Sequence, residues 1–152
     1  MKTIVLLVGV AGSGKTTYRH KHYEHYNCIS PDQRRMRVLD SENSGKFFDQ
    51  SIEKDIWKHI YEVLEHNLTT GNDIIFDATN LTFRRRYPIV ARARKAGYII
   101  NFVYFEVSLH TLAERNETRS KKVPNEVIAR QYLSIQPPEY WEYETIERVG
   151  RK

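Results

Sequence analysis

One stretch near the start of the chain has the residue types and spacing to hold phosphate: Gly9-Val10-Ala11-Gly12-Ser13-Gly14-Lys15-Thr16. Gly9, Gly12 and Gly14 permit a tight loop whose backbone N–H groups point inward. Those donors and the start of the following helix form an anion cradle. Lys15 adds a point charge for the β- and γ-phosphates, and the Thr16 hydroxyl is placed to ligate Mg²⁺. With Ala11, Ser13 and Thr17 completing the loop, these residues predict a site for ATP, or another nucleoside triphosphate, with magnesium.

A bound triphosphate can be hydrolysed, serve as a switch, or pass its terminal phosphate to an acceptor. Hydrolytic ATPases usually end an apolar strand in Asp-Glu, where the Glu activates water. Here Ile74-Ile75-Phe76 runs into Asp77-Ala78, so no Glu follows. Asp77 can still hold Mg²⁺ through water. Transfer needs a carboxylate to take the acceptor proton and arginines over the moving phosphoryl group. Asp32, just after the second predicted strand, is the candidate base. Arg35 lies three residues on and shares its helix face. The pair could hold an acceptor hydroxyl and a neighbouring phosphate, or Asp32 could simply complement the helix dipole. Arg115 and Arg119, at a helix end and the start of a basic loop, are the candidate clamp. An ordinary solvated helix end is the alternative.

These groups need a frame. Ile4–Val8 is a continuous apolar run ending at Gly9, which predicts a buried parallel strand. A helix follows from Gly14 to about His25, then a short strand at Cys28-Ile29-Ser30. Ser30-Pro31-Asp32-Gln33 reads as a helix start with a capping box. Asp40–Lys46 is the expected flexible loop. A long amphipathic helix is predicted from about Phe47 to Leu68, closed by Gly71. Ile74–Phe76 is the third strand, Thr82–Ala96 a helix kinked or restarted at Pro88, and Tyr98–Val107 the fourth strand. Leu109–Glu117 is helical, Thr118–Val123 a basic loop, and Pro124 starts a helix to about Ile135. Thr145–Val149 completes the pattern as an edge strand. Strands alternating with helices predict an α/β fold of three layers: a central, mainly parallel sheet with helices on both faces.

In order and separation, several pieces resemble the kinase domains of 5′-hydroxyl polynucleotide kinases of the phage and bacterial repair type, within the wider group of small P-loop kinases. They are Gly9–Thr17, Ile29–Arg35, Asp77-Ala78-Thr79-Asn80, Glu114–Arg119 and Val123-Pro124. The resemblance covers nearly the whole chain. It implies a P-loop kinase fold with a helical lid at about residues 115–124. It implies Lys15 and Thr16 on ATP and Mg²⁺, and Asp32 as general base for the 5′-hydroxyl. Arg35 falls on the adjacent phosphate, and Arg119, with Arg115, on the phosphoryl group. Asp77, Thr79 and Asn80 line the acceptor side. One departure is Ala78, where some polynucleotide kinases carry an Asp directly before the Thr-Asn pair. The tail from Gln136 to Glu144 resembles the broader kinase group. Neither D-x-D-x-[TV] nor K-x-D-G occurs, so no phosphatase or ligase site accompanies the kinase pieces.

The bulk properties agree. The chain has 152 residues, which fits one domain. It is 40% apolar and 28% charged, as expected of a globular protein. A net charge of +5 suits an anionic partner such as a nucleic acid. Between Leu81 and Phe105 lie six basic residues and no acidic one; Arg84-Arg85-Arg86 could grip a polynucleotide backbone or form a charged helix face. His20, His22 and His25 could suggest a metal site, but His20 and His22 point to different faces of a helix, so solvated side chains are expected; Tyr18, Tyr23 and Tyr26 could stack bases, with packing the expected role. Cys28 is the only cysteine, so no internal disulfide forms and a reducing cytoplasm is the natural home. The apolar run before Gly9 is too short to span a membrane. The expectation is one domain over residues 1–152 that phosphorylates the 5′-hydroxyl end of a nucleic acid. A kinase for a small alcohol (sugar acid, nucleoside or antibiotic) is the second reading, and an ATPase or switch without an acceptor the third.

Overall fold

The computed structural model describes residues 2–42, 50–120 and 122–150. Its elements are β1 Thr3–Val8, α1 Lys15–His22, β2 Asn27–Ile29, α2 Pro31–Glu42, α3 Gln50–Thr70, β3 Ile74–Phe76, α4 Phe83–Lys95, β4 Ile99–Phe105, α5 Leu109–Glu117, α6 Asn125–Ser134 and β5 Thr145–Val149. The strands form one sheet in the order β2-β3-β1-β4-β5. Every pairing is parallel, with Leu6 opposite Phe76 on one side and Phe102 on the other.

The sheet is parallel because β1 is apolar on both faces. Ile4, Leu6 and Val8 enter a core with Ile56, Ile60 and Leu64 of α3 and Ile89 and Ala93 of α4. Val5 and Leu7 point the other way, into a second core edged by Tyr18, Tyr23, Tyr26 and Cys28. The three tyrosines thus pack against the sheet, the expected role. Each fully buried aliphatic side chain contributes roughly 1.5–3 kcal/mol. A smaller cluster of Val10, Leu112 and Ile128 ties α5 and α6 to the loop after β1.

Local signals set the element ends. The Ser30 hydroxyl accepts from the Gln33 N–H, capping α2 at the predicted place. Gly71 ends α3 with φ of 84°. Three expectations are corrected. α1 stops at His22, three residues short of His25, because Tyr23 and Tyr26 turn inward to pack. Residues 40–42 of the expected loop belong to α2, since a polar run serves equally as a solvated helix end; residues 43–46, and the start of the long helix at Phe47, lie outside the described residues. α4 passes through Pro88 as one helix without a restart, its buried face of Ile89, Val90 and Ala93 offsetting the lost hydrogen bond.

Candidate active site

In a parallel sheet all strands end at one edge, and ligands bind where the strand order reverses. Here that edge carries the loop after β1, Asp32 after β2, Asp77 after β3, and the arginines after β4 and α5. They line a cavity of about 690 Å³.

The loop is held from several sides. Gly12 and Gly14 have φ of 85° and 102°, values an L side chain rarely adopts. Gly9 is needed for space: a Cβ there would stand 2.6 Å from the Ser13 hydroxyl and 2.9 Å from the Phe105 Cβ. The Gly9 N–H donates to the Thr79 carbonyl at 3.0 Å. The Ala11 N–H donates to the Gln131 side chain at 2.9 Å, fastening the loop to α6. Lys15 is buried, and its ammonium donates to the carbonyls of Gly9 and Val10 at 2.9 and 3.0 Å. Burial lowers its pKa to about 8, against the opposing pull of Asp77 and Asp32 and with some help from Arg119.

Asp77 is buried beneath the loop. Its Oδ2 accepts from Thr16 Oγ1 at 3.3 Å and from Arg19 Nε at 3.0 Å. A hydroxyl and a carboxylate side by side are hard oxygen donors of the kind Mg²⁺ takes alongside phosphate oxygens and water. The pair fits such an ion. Arg19, from the inner face of α1, orients the carboxylate. Burial also pushes the neighbouring Cys28 thiol upward in pKa.

Asp32 projects into solvent from the first turn of α2 and lines the same cavity. Its partner Arg35 is half-buried and holds two carboxylates at once. Its Nη1 donates to Asp32 Oδ1, while Nε reaches Glu53 Oε2 at 2.9 Å and Nη2 also donates to Glu53. The hydrogen bond from Arg35 holds the Glu53 carboxyl below its ordinary pKa, and Trp57 Nε1 donates to it at 3.3 Å. Arg35 therefore stands between Asp32 and α3 and is not itself part of the cavity wall.

Arg115, in the last turn of α5, and Arg119, just beyond it, reach back over the loop. Arg115 Nη1 donates to the Gly12 carbonyl at 3.4 Å, and Arg119 Nη1 would lie 3.6 Å from a Cβ on Gly12. Asn116 between them is buried. Its Nδ2 donates to the Val123 carbonyl at 2.6 Å and its Oδ1 accepts the Val123 N–H at 3.0 Å, so one side chain closes the turn that carries Arg119.

Thr79 lines the cavity, whereas Asn80 lies inside the protein, 1% exposed. The Asn80 Nδ2 donates to the Leu7 carbonyl at 2.7 Å, fixing the segment after β3 against β1. Arg86 is also fully buried, so the Arg84–Arg86 run is not one surface feature. Its guanidinium pairs with Glu142 at 2.8 and 3.1 Å and donates to the Asn80 carbonyl at 2.7 Å. Glu53, Arg19, Gln131 and the Arg86–Glu142 pair escape sequence reasoning. The one weak signal was a charge on an otherwise inward helix face (Arg19, Arg86); nothing marks Glu142 apart from Glu139 and Glu144 in the same tail. No cluster of three or more metal-ligating side chains occurs among the described residues, His20 and His22 included.

Residues 4–138 match the family model of an AAA domain. A protein of Autographa californica nuclear polyhedrosis virus, named as a bifunctional polynucleotide kinase/RNA ligase, is 29% identical over 93% of this chain, which spans only 22% of that relative. A solved Pnkp1/Rnl/Hen1 RNA repair complex superposes with a TM-score of 0.75 at 21% identity, over 88% of this chain and 43% of that one. A sugar kinase from Janibacter sp. HTCC2649 superposes with a TM-score of 0.73 at 16% identity, over 100% of this chain and 88% of that one. No helix among the described residues is long and apolar enough to cross a membrane. The chain belongs to the AAA domain family, with the fold of the small P-loop kinases.

Proposed function

We propose that this domain transfers the γ-phosphate of ATP to the 5′-hydroxyl end of a polynucleotide. The observation that carries the reading is Asp32: an exposed carboxylate, steadied by Arg35, on the wall of the same cavity as the phosphate loop, Arg115 and Arg119. The viral relative named for this activity supports it.

The loop N–H groups and Lys15 bind the triphosphate. Thr16 and Asp77 would hold Mg²⁺, which screens the phosphate charge. Asp32 takes the proton of the acceptor hydroxyl as its oxygen bonds to the γ-phosphorus. The bond to the β,γ-bridging oxygen breaks, and ADP leaves. Arg119 and Arg115 stabilise charge on the phosphoryl oxygens, Thr79 faces the acceptor, and Arg35 steadies Asp32 from behind. A reducing cytoplasm suits the unpaired Cys28.

The test supplies γ-labelled ATP, Mg²⁺ and 5′-hydroxyl RNA or DNA. Label should reach the oligonucleotide, and Asp32→Ala should lower kcat by roughly 10²–10⁴-fold. Free phosphate alone, indifferent to Asp32→Ala, would identify an ATPase. The near full-length likeness to a sugar kinase favours a second reading, a small alcohol as acceptor. Transfer to a small-molecule panel but to neither polymer would establish it.

A further inference from the structure

We propose that the face where α3 meets α4 is a subsite for the acceptor strand beyond its first nucleotide, formed by Lys54, Trp57, Lys58, Tyr61 and Arg85. This inference rests on the polynucleotide reading above.

The face is a shallow cavity of about 480 Å³ whose floor is Trp57 and Tyr61. Trp57 is backed by Phe76, stacked at 6.5 Å between ring centroids, so the indole is fixed in place. The Arg85 guanidinium lies 4.1 Å from its ring centroid, and Arg92 lies 4.5 Å from that of Tyr61. Each ring thus carries a guanidinium, and an arginine plane seated on an aromatic ring is a surface on which a nucleobase can stack irrespective of sequence.

Charge points to a polyanion. Of the acids along this stripe of α3, Glu53 is bound by Arg35 and Glu65 pairs with Arg92 at 3.3 Å, which leaves the exposed Glu62 against Lys54, Lys58 and Arg85. Lys54 and Lys58 are exposed and have no ion-pair partner among the described residues. The face is also joined to the reacting end. Asp32 is held by Arg35, Arg35 by Glu53, and Glu53 accepts from Trp57. A strand whose 5′-hydroxyl sits at Asp32 would pass its next nucleotides over α3, with Lys54, Lys58 and Arg85 on its phosphates. An acidic peptide could satisfy the charges, but it has no bases for the rings.

The experiment compares a 5′-hydroxyl single strand of roughly 12 nucleotides with a nucleoside 3′-monophosphate as acceptors, in wild type, Lys54→Glu/Lys58→Glu and Arg85→Ala. The preference for the long acceptor, as the ratio of kcat/KM values, should fall about tenfold in the double variant. The salt dependence of oligonucleotide binding should flatten by roughly 0.7 in log–log slope for each phosphate that a variant no longer neutralises. An unchanged ratio and slope, with the oligonucleotide still phosphorylated, would overturn the subsite and leave the kinase reading standing. Transfer to small alcohols only would overturn both. Inhibition by polyglutamate as strong as that by a non-acceptor oligonucleotide would make the face a general acidic-chain site and overturn its assignment to nucleic acid.

Discussion

Lys15 has its ammonium directed at its own loop, with Asp77 and Asp32 as the nearest opposing charges. Its pKa is lowered to about 8 in the folded chain, from an ordinary 10.5. Between those values the unfolded chain binds a proton that the folded one does not. Stability contributed by this group therefore rises with pH across that window, and the cost of burying the charge is fully present below it. Phosphate reverses the preference, because an anion favours the charged lysine. ATP binding above about pH 8 should then take up close to one proton, and affinity should fall as pH rises through that value. Calorimetry in buffers of different ionisation enthalpy measures the uptake. Lys15→Met should abolish it, and an unaltered uptake would remove Lys15 from the account.

At the scale of elements, the segment that carries Arg119 depends on Asn116. Its two hydrogen bonds to Val123 close the turn after α5, and the Gln131 contact ties α6 to the phosphate loop. Asn116→Ala removes both, together with the bond from its Nδ2 to Asn125 Oδ1 at 3.3 Å, while leaving Arg119 intact. Two hydrogen bonds are worth about 1–3 kcal/mol, so kcat should fall roughly tenfold or more with only a modest change in KM for ATP. Steady-state kinetics with each substrate varied in turn would show the split. A wild-type kcat would mean that the turn is held by other contacts. The elements themselves were largely legible in the sequence, because they are written as local patterns: an apolar run before Gly9, the cap at Ser30, glycines at helix ends. The Asp77–Arg19 and Asp32–Arg35–Glu53 arrangements were only half legible. Arg35 lies three residues from Asp32 and shares its helix face, but Arg19 meets Asp77 across 58 residues and Arg35 meets Glu53 across 18. Charge pairs made by tertiary packing have no periodicity to read. The basic run at Arg84 misled for the same reason, since composition does not distinguish an arginine at the surface from Arg86 in the interior.

For the molecule as a whole, the Arg86–Glu142 pair joins α4, the segment after β3 and the tail that leads to β5. Arg86→Met would leave the Asn80 carbonyl without its donor and the buried Glu142 carboxylate with no countercharge, held by the Glu139 N–H alone. Removing one member of a buried pair costs about 3–5 kcal/mol, which for a chain this size is about 10 °C in Tm. Replacing both with Leu should recover much of the loss. Thermal melts of the single and double variants check this, and equal losses in the two would show that the pair acts through packing alone. The strand order has a consequence for biosynthesis. β1 is translated first, yet its two neighbours are β3 and β4, ending at Phe76 and Phe105. Parallel pairings across such separations are slow to form. On the ribosome, the phosphate loop cannot acquire its frame until β4, ending at Phe105, has emerged. Ribosome-bound chains stalled before Ile99 should show the loop open to protease, and chains released past Val149 should show it protected by ATP.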